Sequence, residues 1–181
     1  MPRGYDRSLY LLPFDHRHSY VTGMFHLTPP LTVEGHQAVT DSKHLIYEGF
    51  REALGHELPV GDVGILVDEE FGAEILVDAA RDGYVTAVCV EKSGSVEFEF
   101  EYGAAFKEHI EAFAPTFAKA LVQYNPEGNA ALNERQTGRL KQLSDYCQAV
   151  GQLFMFELLV PATEEQGHRA EADEMNYDVA M

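Results

Sequence analysis

Two cysteines are all this 181-residue chain contains, too few for the disulfide framework of a small secreted domain. Cys89 falls in an apolar run and Cys147 on the apolar side of a helical one. Both read as reduced core residues, which places the protein in the cytoplasm. No stretch approaches the roughly 18 consecutive apolar residues of a membrane helix, so no membrane partner is expected. The opening Met1-Pro-Arg-Gly-Tyr-Asp6 lacks the basic start and apolar core of a secretory signal. Basic residues are scarce, 13 lysines and arginines against 30 acids for a net charge of −17. A nucleic-acid partner needs a basic face, and this chain has none to offer. The Gly-rich fingerprint G-x-G-x-x-G is missing, which leaves a nucleotide reading without support. Internal repeats and low-complexity tracts are missing too.

What remains is a rhythm of short apolar runs that end in, or enclose, reactive side chains. Leu9–Phe14 stops at Asp15-His16-Arg17, Val63–Val67 at Asp68-Glu69-Glu70, and Val85–Val90 at Glu91-Lys92. Phe117–Val122 encloses Lys119, and Leu153–Leu159 encloses Glu157. Runs of this length, uniformly apolar and separated by helical periodicity, predict parallel strands buried on both faces. The spacing of Ile46, Phe50, Ala53 and Leu54 predicts a helix stopping at Gly55. Further helices are predicted over Ala73–Arg81, Phe106–Phe113 and Ala130–Val150, the last with a stripe of Leu140, Leu143, Cys147 and Val150. The Ser93–Tyr102 segment alternates like a strand but is expected to be a loop over the sheet ends. Met175–Met181 reads as the start of another helix. The whole chain, 1–181, is expected to form one α/β domain of five β/α units. An open, doubly wound sheet of flavodoxin type and a (β/α)8 barrel cut off after the fifth unit both fit the pattern. The second leaves two raw strand edges, which invites self-association into a homo-oligomer.

In such folds chemistry collects at the carboxyl ends of the strands, which makes the strand-end residues candidates. Lys119, between two alanines, is expected to be desolvated, with a pKa lowered toward amine or proton-transfer chemistry, or else paired with Glu157 or Glu91. Glu157, flanked by apolar residues, suits a general acid or base, or a structural partner for Lys119 or Lys92. Asp15 is placed to orient a hydroxyl or carbonyl, and Arg17 to meet a phosphate or carboxylate. The plainer reading of Asp15 is a turn or helix cap. Lys92-Ser93-Gly94 offers a cation and backbone N–H groups to a phosphate, or forms a simple turn. His16 and His18, with Asp15, Glu69 and Glu70, are the best metal ligands available. Their spacing is unremarkable, so no metal and no other cofactor is expected.

Several segments in order then look familiar: Leu11-Leu-Pro-Phe-Asp-His-Arg17, Gly64-Ile-Leu-Val-Asp-Glu-Glu-Phe-Gly72, Val90-Glu-Lys-Ser-Gly94, Thr116-Phe-Ala-Lys119 and Phe154-Met-Phe-Glu-Leu-Leu-Val-Pro161. Together they resemble the aldolase-like domain at the carboxyl side of bacterial 5-dehydro-2-deoxygluconokinase, of myo-inositol catabolism. More distantly they are similar to tagatose-bisphosphate aldolase and the class I fructose-bisphosphate aldolases. The resemblance runs from Tyr5 to Met181. It implies an aldolase-type TIM barrel and a carbon–carbon lyase acting on a phosphorylated keto sugar, of the 2-deoxy-5-keto-gluconate 6-phosphate kind. By the same resemblance Asp15, Lys119 and Glu157 are catalytic, with Lys119 matching the fourth-strand lysine and Glu157 the fifth-strand acid/base. Arg17, Asp68, Glu91 and Lys92 are expected to bind substrate. The imine-forming lysine of those aldolases lies on a sixth strand with no counterpart here, so the expected barrel is incomplete after about five units. No sugar-kinase motif occurs either. The competing expectation is a non-catalytic module that binds a sugar phosphate.

Overall fold

The structure, a computed structural model, describes residues 4–54 and 58–169. Five strands, β1 (Tyr10–Pro13), β2 (Val63–Val67), β3 (Val85–Cys89), β4 (Phe117–Gln123) and β5 (Leu153–Leu159), alternate with four α-helices. Among the described residues, those that lie between strands are α1 (Val33–Leu54), α2 (Glu69–Arg81), α3 (Phe106–Phe113) and α4 (Ala130–Val150). Every neighbouring pair of strands is parallel, and the order in the sheet is β1-β2-β3-β4-β5. A strictly sequential order has no reversal point, which rules out the flavodoxin alternative. The sheet is also curled. Adjacent strands lie about 4.8 Å apart, so a flat sheet would hold β1 and β4 roughly 14 Å from each other. Yet Lys119 of β4 reaches Asp15, just past β1, at 2.8 Å. The fold is a curled half-barrel, an α/β architecture in keeping with part of a TIM barrel.

Alternation along the strands sorts side chains between an outer and an inner layer. On the outer face Val63, Ile65, Val67 and Val88 pack with Tyr47 and Phe50 of α1 and Ile75, Leu76 and Ala79 of α2. Ala118, Ala120 and Val122 pack with Phe106 and Ile110 of α3 and Leu143 and Cys147 of α4. Inside the curl, Leu66, Val85, Ala87 and Phe117 form a lower layer with Leu11, Leu153, Met155 and Tyr5. Gly64 belongs to this tight interior: a Cβ there would lie 2.2 Å from the Val85 carbonyl oxygen. The apolar lower layer closes one end of the half-barrel, so polar inward residues collect at the other end, where the strands finish.

Helix α2 starts four residues before the expected Ala73. Asp68 is its N-cap and accepts the Phe71 N–H at 2.8 Å, while Gly72 lets the first turn press on Val67, whose Cγ2 would lie 2.4 Å from an added Cβ. Along α1, Phe50 is buried but Ala53 is exposed, and Val150 at the end of α4 is more than half exposed. The Ser93–Tyr102 segment is a loop over the strand ends, as expected, pinned at its base by an antiparallel bridge between Glu91 and Phe100. Arg135 and Arg139 of α4 clamp it through Glu97, and buried Gln136 accepts the Phe98 N–H. Among the described residues no helix is long and apolar enough to cross a membrane. The expected stop at Gly55 and the helix expected over Met175–Met181 lie outside the described residues.

Candidate active site

At the carboxyl ends of the strands the half-barrel holds a cavity of about 400 Å3. Asp15, Arg17, Glu91, Lys92, Lys119 and Glu157 all line it. Six of the seven residues singled out from sequence therefore converge on one wall system. The reason is local. Lys119 and Glu157 share inward parity with Phe117 and Leu153 on their strands, and Asp15 and Glu91 sit on the first turns beyond β1 and β3.

Lys119 is the centre. Its side chain is only 2% exposed, and its ammonium donates to Asp15 Oδ2 at 2.8 Å and Glu91 Oε1 at 3.2 Å, with Glu157 Oε2 at 2.9 Å. Burial is the largest single influence on its pKa and pushes it down. The charges of Glu91 and Asp15, with the hydrogen bonds to Asp15 and Glu157, together outweigh burial and carry it above the ordinary lysine value. The expectation of a lowered pKa is thus corrected. Lys119 pairs with both Glu157 and Glu91, and with Asp15 besides, and at neutral pH it is an ammonium that cannot attack a carbonyl as a nucleophile.

The three carboxylates differ. Glu91 is nearly buried, its second oxygen accepts the Leu121 N–H at 3.3 Å, and burial holds its pKa above the usual carboxylate value against the pull of Lys119 and Arg17. Asp15 is mostly covered. Glu157 alone is half exposed, at 48% of its side chain, and so faces any molecule entering the cavity. Arg17 is 6% exposed and donates to the Glu91 carbonyl oxygen at 2.7 Å and to Glu101 Oε2 at 2.6 Å. Lys92 stands exposed at the rim, 3.7 Å from Glu99.

Asp68 is the residue the fold places elsewhere. It is 1% exposed, ion-paired with Lys43 of α1 and capping α2, and it does not line the cavity. Sequence reasoning missed Lys43, which is equally buried and also donates to the Phe14 carbonyl at 3.0 Å. The signal for Asp68 was present: an aspartate directly before Glu-Glu-Phe reads as an N-cap. Glu101, the partner of Arg17, was also missed; its position in the alternating Glu97–Tyr102 run marked it only as a loop residue.

The metal reading finds its candidates scattered. His16 lines the cavity, His18 and Glu70 line a neighbouring one, and Glu69 is held by His109 at 2.7 Å. Among the described residues the convergent set is Asp15, Cys89 and Glu91, with ligand atoms within 4.8 Å of one another. Lys119 already donates to two of those three, and burial drives the Cys89 thiol far from ionisation. This set serves the lysine better than a cation.

The arrangement offers an ammonium, an exposed carboxylate beside it and two sheltered carboxylates behind, in a cavity of small-metabolite size. Such a group can polarise a carbonyl, orient hydroxyls and shuttle a proton. Comparison with known proteins identifies the family: residues 2–179 match the model of a family described as "Uncharacterized protein conserved in bacteria (DUF2090)", and the chain belongs to it. No curated protein matches the chain.

Proposed function

We propose that this cavity carries out reversible carbon–carbon cleavage of a phosphorylated keto sugar, of the 2-deoxy-5-keto-gluconate 6-phosphate kind, by proton transfer. The observation that carries the reading is the Lys119 ammonium held among Asp15, Glu91 and Glu157 at the strand ends of a half-barrel. The substrate class comes from the resemblance to aldolase-like domains. The chemistry comes from the charges.

In this reading Glu157, the exposed partner, lets go of Lys119 as the substrate enters, and the ketone oxygen accepts the hydrogen bond so freed. Glu157, the exposed carboxylate, takes the proton of the hydroxyl on the carbon to be released. That hydroxyl becomes an aldehyde as the carbon–carbon bond breaks, and the bonding electrons pass to the ketone fragment as an enolate. The enolate charge faces the ammonium, the strongest electrostatic aid the cavity has. Glu157 then returns the proton to the enolate carbon. The products are a three-carbon keto phosphate and a three-carbon aldehyde acid. Asp15 orients hydroxyls, and Arg17 and Lys92 meet the charged end of the substrate.

A second reading, a non-catalytic sugar-phosphate-binding module, is favoured by one feature: each of the three Lys119 contacts is already made to a carboxylate. Glu157→Gln separates the two. An enzyme loses cleavage by about 10²–10⁴-fold, the usual worth of a general acid/base, and keeps its ligand affinity. A binding module shows no cleavage before or after the change.

A further inference from the structure

The first cavity is a poor place for a phosphate. Asp15, Glu91 and Glu157 crowd its floor and outnumber the one Lys119 charge there, which disfavours a dianion. On the far side of Arg17 lies a second cavity, also about 400 Å3, which shares Arg17, Lys92 and Ser93 with the first. Its walls add His18 and His36. In a chain with 30 acids against 13 lysines and arginines, two of those bases, Arg17 and Lys92, meet at this cavity against two acids, Glu70 and Glu101.

We infer that the Arg17–Ser93 wall of this second cavity is a binding site for the phosphate group of the ligand, occupied in the free protein by the carboxylate of Glu101. The geometry is that of an oxyanion cradle. Glu101 Oε2 accepts the Arg17 Nη1 hydrogen bond at 2.6 Å and the Ser93 N–H at 3.1 Å. A guanidinium and a loop N–H meeting on one oxygen is what a phosphate oxygen requires. The loop is built for it: Gly94 takes φ +75°, a value that favours glycine, and the His18 N–H fastens the Ser93 hydroxyl at 3.0 Å. Arg17 is more than nine-tenths buried on the wall common to both cavities, so its guanidinium is held in place for an incoming oxyanion.

Glu101 is the movable piece. Its side chain is 28% exposed, so it can turn to water when a dianion outbids its single charge. Glu70, the other acid on these walls, is drawn toward its neutral form by burial first and then by Asp68 and Glu101. This inference rests on the keto sugar phosphate reading only for the identity of the ligand; phosphate binding itself needs no turnover.

Isothermal titration calorimetry with inorganic phosphate, in chloride buffer of low ionic strength, tests it on the full chain. Glu101→Gln removes the competing charge and binds phosphate about tenfold more tightly than the parent, the worth of one charge-assisted hydrogen bond. Arg17→Lys weakens it by a similar factor, and Lys92→Gln by about threefold, as befits an exposed charge. Lys92 is at the surface, so that variant reads the site even if Arg17→Lys does not fold. Asp145→Asn, on the exposed face of α4 away from both cavities, leaves phosphate affinity unchanged, and because binding is read without turnover its outcome stays separate from that of the cleavage reading. The inference is overturned if Glu101→Gln binds phosphate no more tightly than the parent, or if no folded variant of Arg17 or Lys92 weakens the binding.

Discussion

Lys119 and Glu157 meet at 2.9 Å from adjacent strands, although the register pairs Lys119 with Met155 and Glu157 with Leu121. The lysine leans along its strand toward the carboxyl end, where the carboxylate stands one inward position further on. This diagonal puts a sheltered cation behind an exposed base. It also ties the open edge strand β5 to the floor of the cavity.

Removing that cation should be felt most at neutral pH. Lys119→Met leaves Asp15, Glu91 and Glu157 close together with no ammonium between them, a loss of about 3–5 kcal/mol by analogy with broken buried pairs. The deficit shrinks as the pH is lowered from about 7 to about 4, because Glu91, whose pKa burial already holds above the ordinary value, takes up a proton along the way. Thermal melts of parent and variant across that range check it; a pH-independent difference would mean that the lysine acts through packing alone.

Because Lys119 is charged, it forms no imine. Incubation with dihydroxyacetone phosphate and borohydride, followed by peptide mapping, leaves Lys119 unmodified. An adduct on Lys119 would show that its pKa in solution is low enough for nucleophilic attack, against the direction set by its three neighbours.

Glu91 gives a pH dependence of opposite origin. Its native pKa lies above the ordinary 4.5, so between those two values the folded chain holds more protons than the unfolded one. Stability from this group is therefore present at acid pH and falls as pH rises from about 4.5 through the native value. Glu91→Gln keeps an oxygen for the Leu121 N–H and leaves Lys119 two carboxylates. The variant melts at or above the parent temperature at pH 7–8, well above the ordinary carboxylate range, and its advantage fades in acid. A variant less stable than the parent at pH 8 would contradict this.

The buried pair of Lys43 and Asp68 makes a structural prediction. Asp68→Asn keeps the α2 cap but strands the Lys43 ammonium, lowering stability by about 3–5 kcal/mol. Adding Lys43→Met restores much of the loss, because an apolar chain of similar length then fills the space between Tyr20 and Phe71. Denaturant unfolding of the single and double variants gives the coupling. Equal stabilities would mean that the pair is energetically idle.

Much of this was legible in the sequence for definite reasons. Strand β2 occupies the Val63–Val67 run and nothing more, because a strand buried on both faces writes itself as an unbroken apolar stretch. The apolar runs enclosing Lys119 and Glu157 marked both as candidates and as possible partners, and the strand-end rule added Asp15, Arg17, Glu91 and Lys92. Two things were not legible. A lysine in a helix normally points to water, and nothing near Lys43 announces a partner 25 residues away. The direction of the Lys119 pKa depends on how many carboxylates the curl gathers, and periodicity carries no record of curl. Asp68 was misplaced for a third reason, since a strand end is also a helix start, and here the cap took precedence.

The central claim is that Glu157 moves a proton next to a carbonyl that Lys119 polarises. Its most direct test follows dihydroxyacetone phosphate in D2O by proton NMR with the purified chain. The account predicts stereospecific exchange of one hydrogen on the hydroxymethyl carbon, falling at least about a hundredfold in Glu157→Gln, the lower end of general acid–base effects. Exchange no faster than in protein-free buffer, from a chain that is folded and binds the phosphate, would contradict it and leave a binding module.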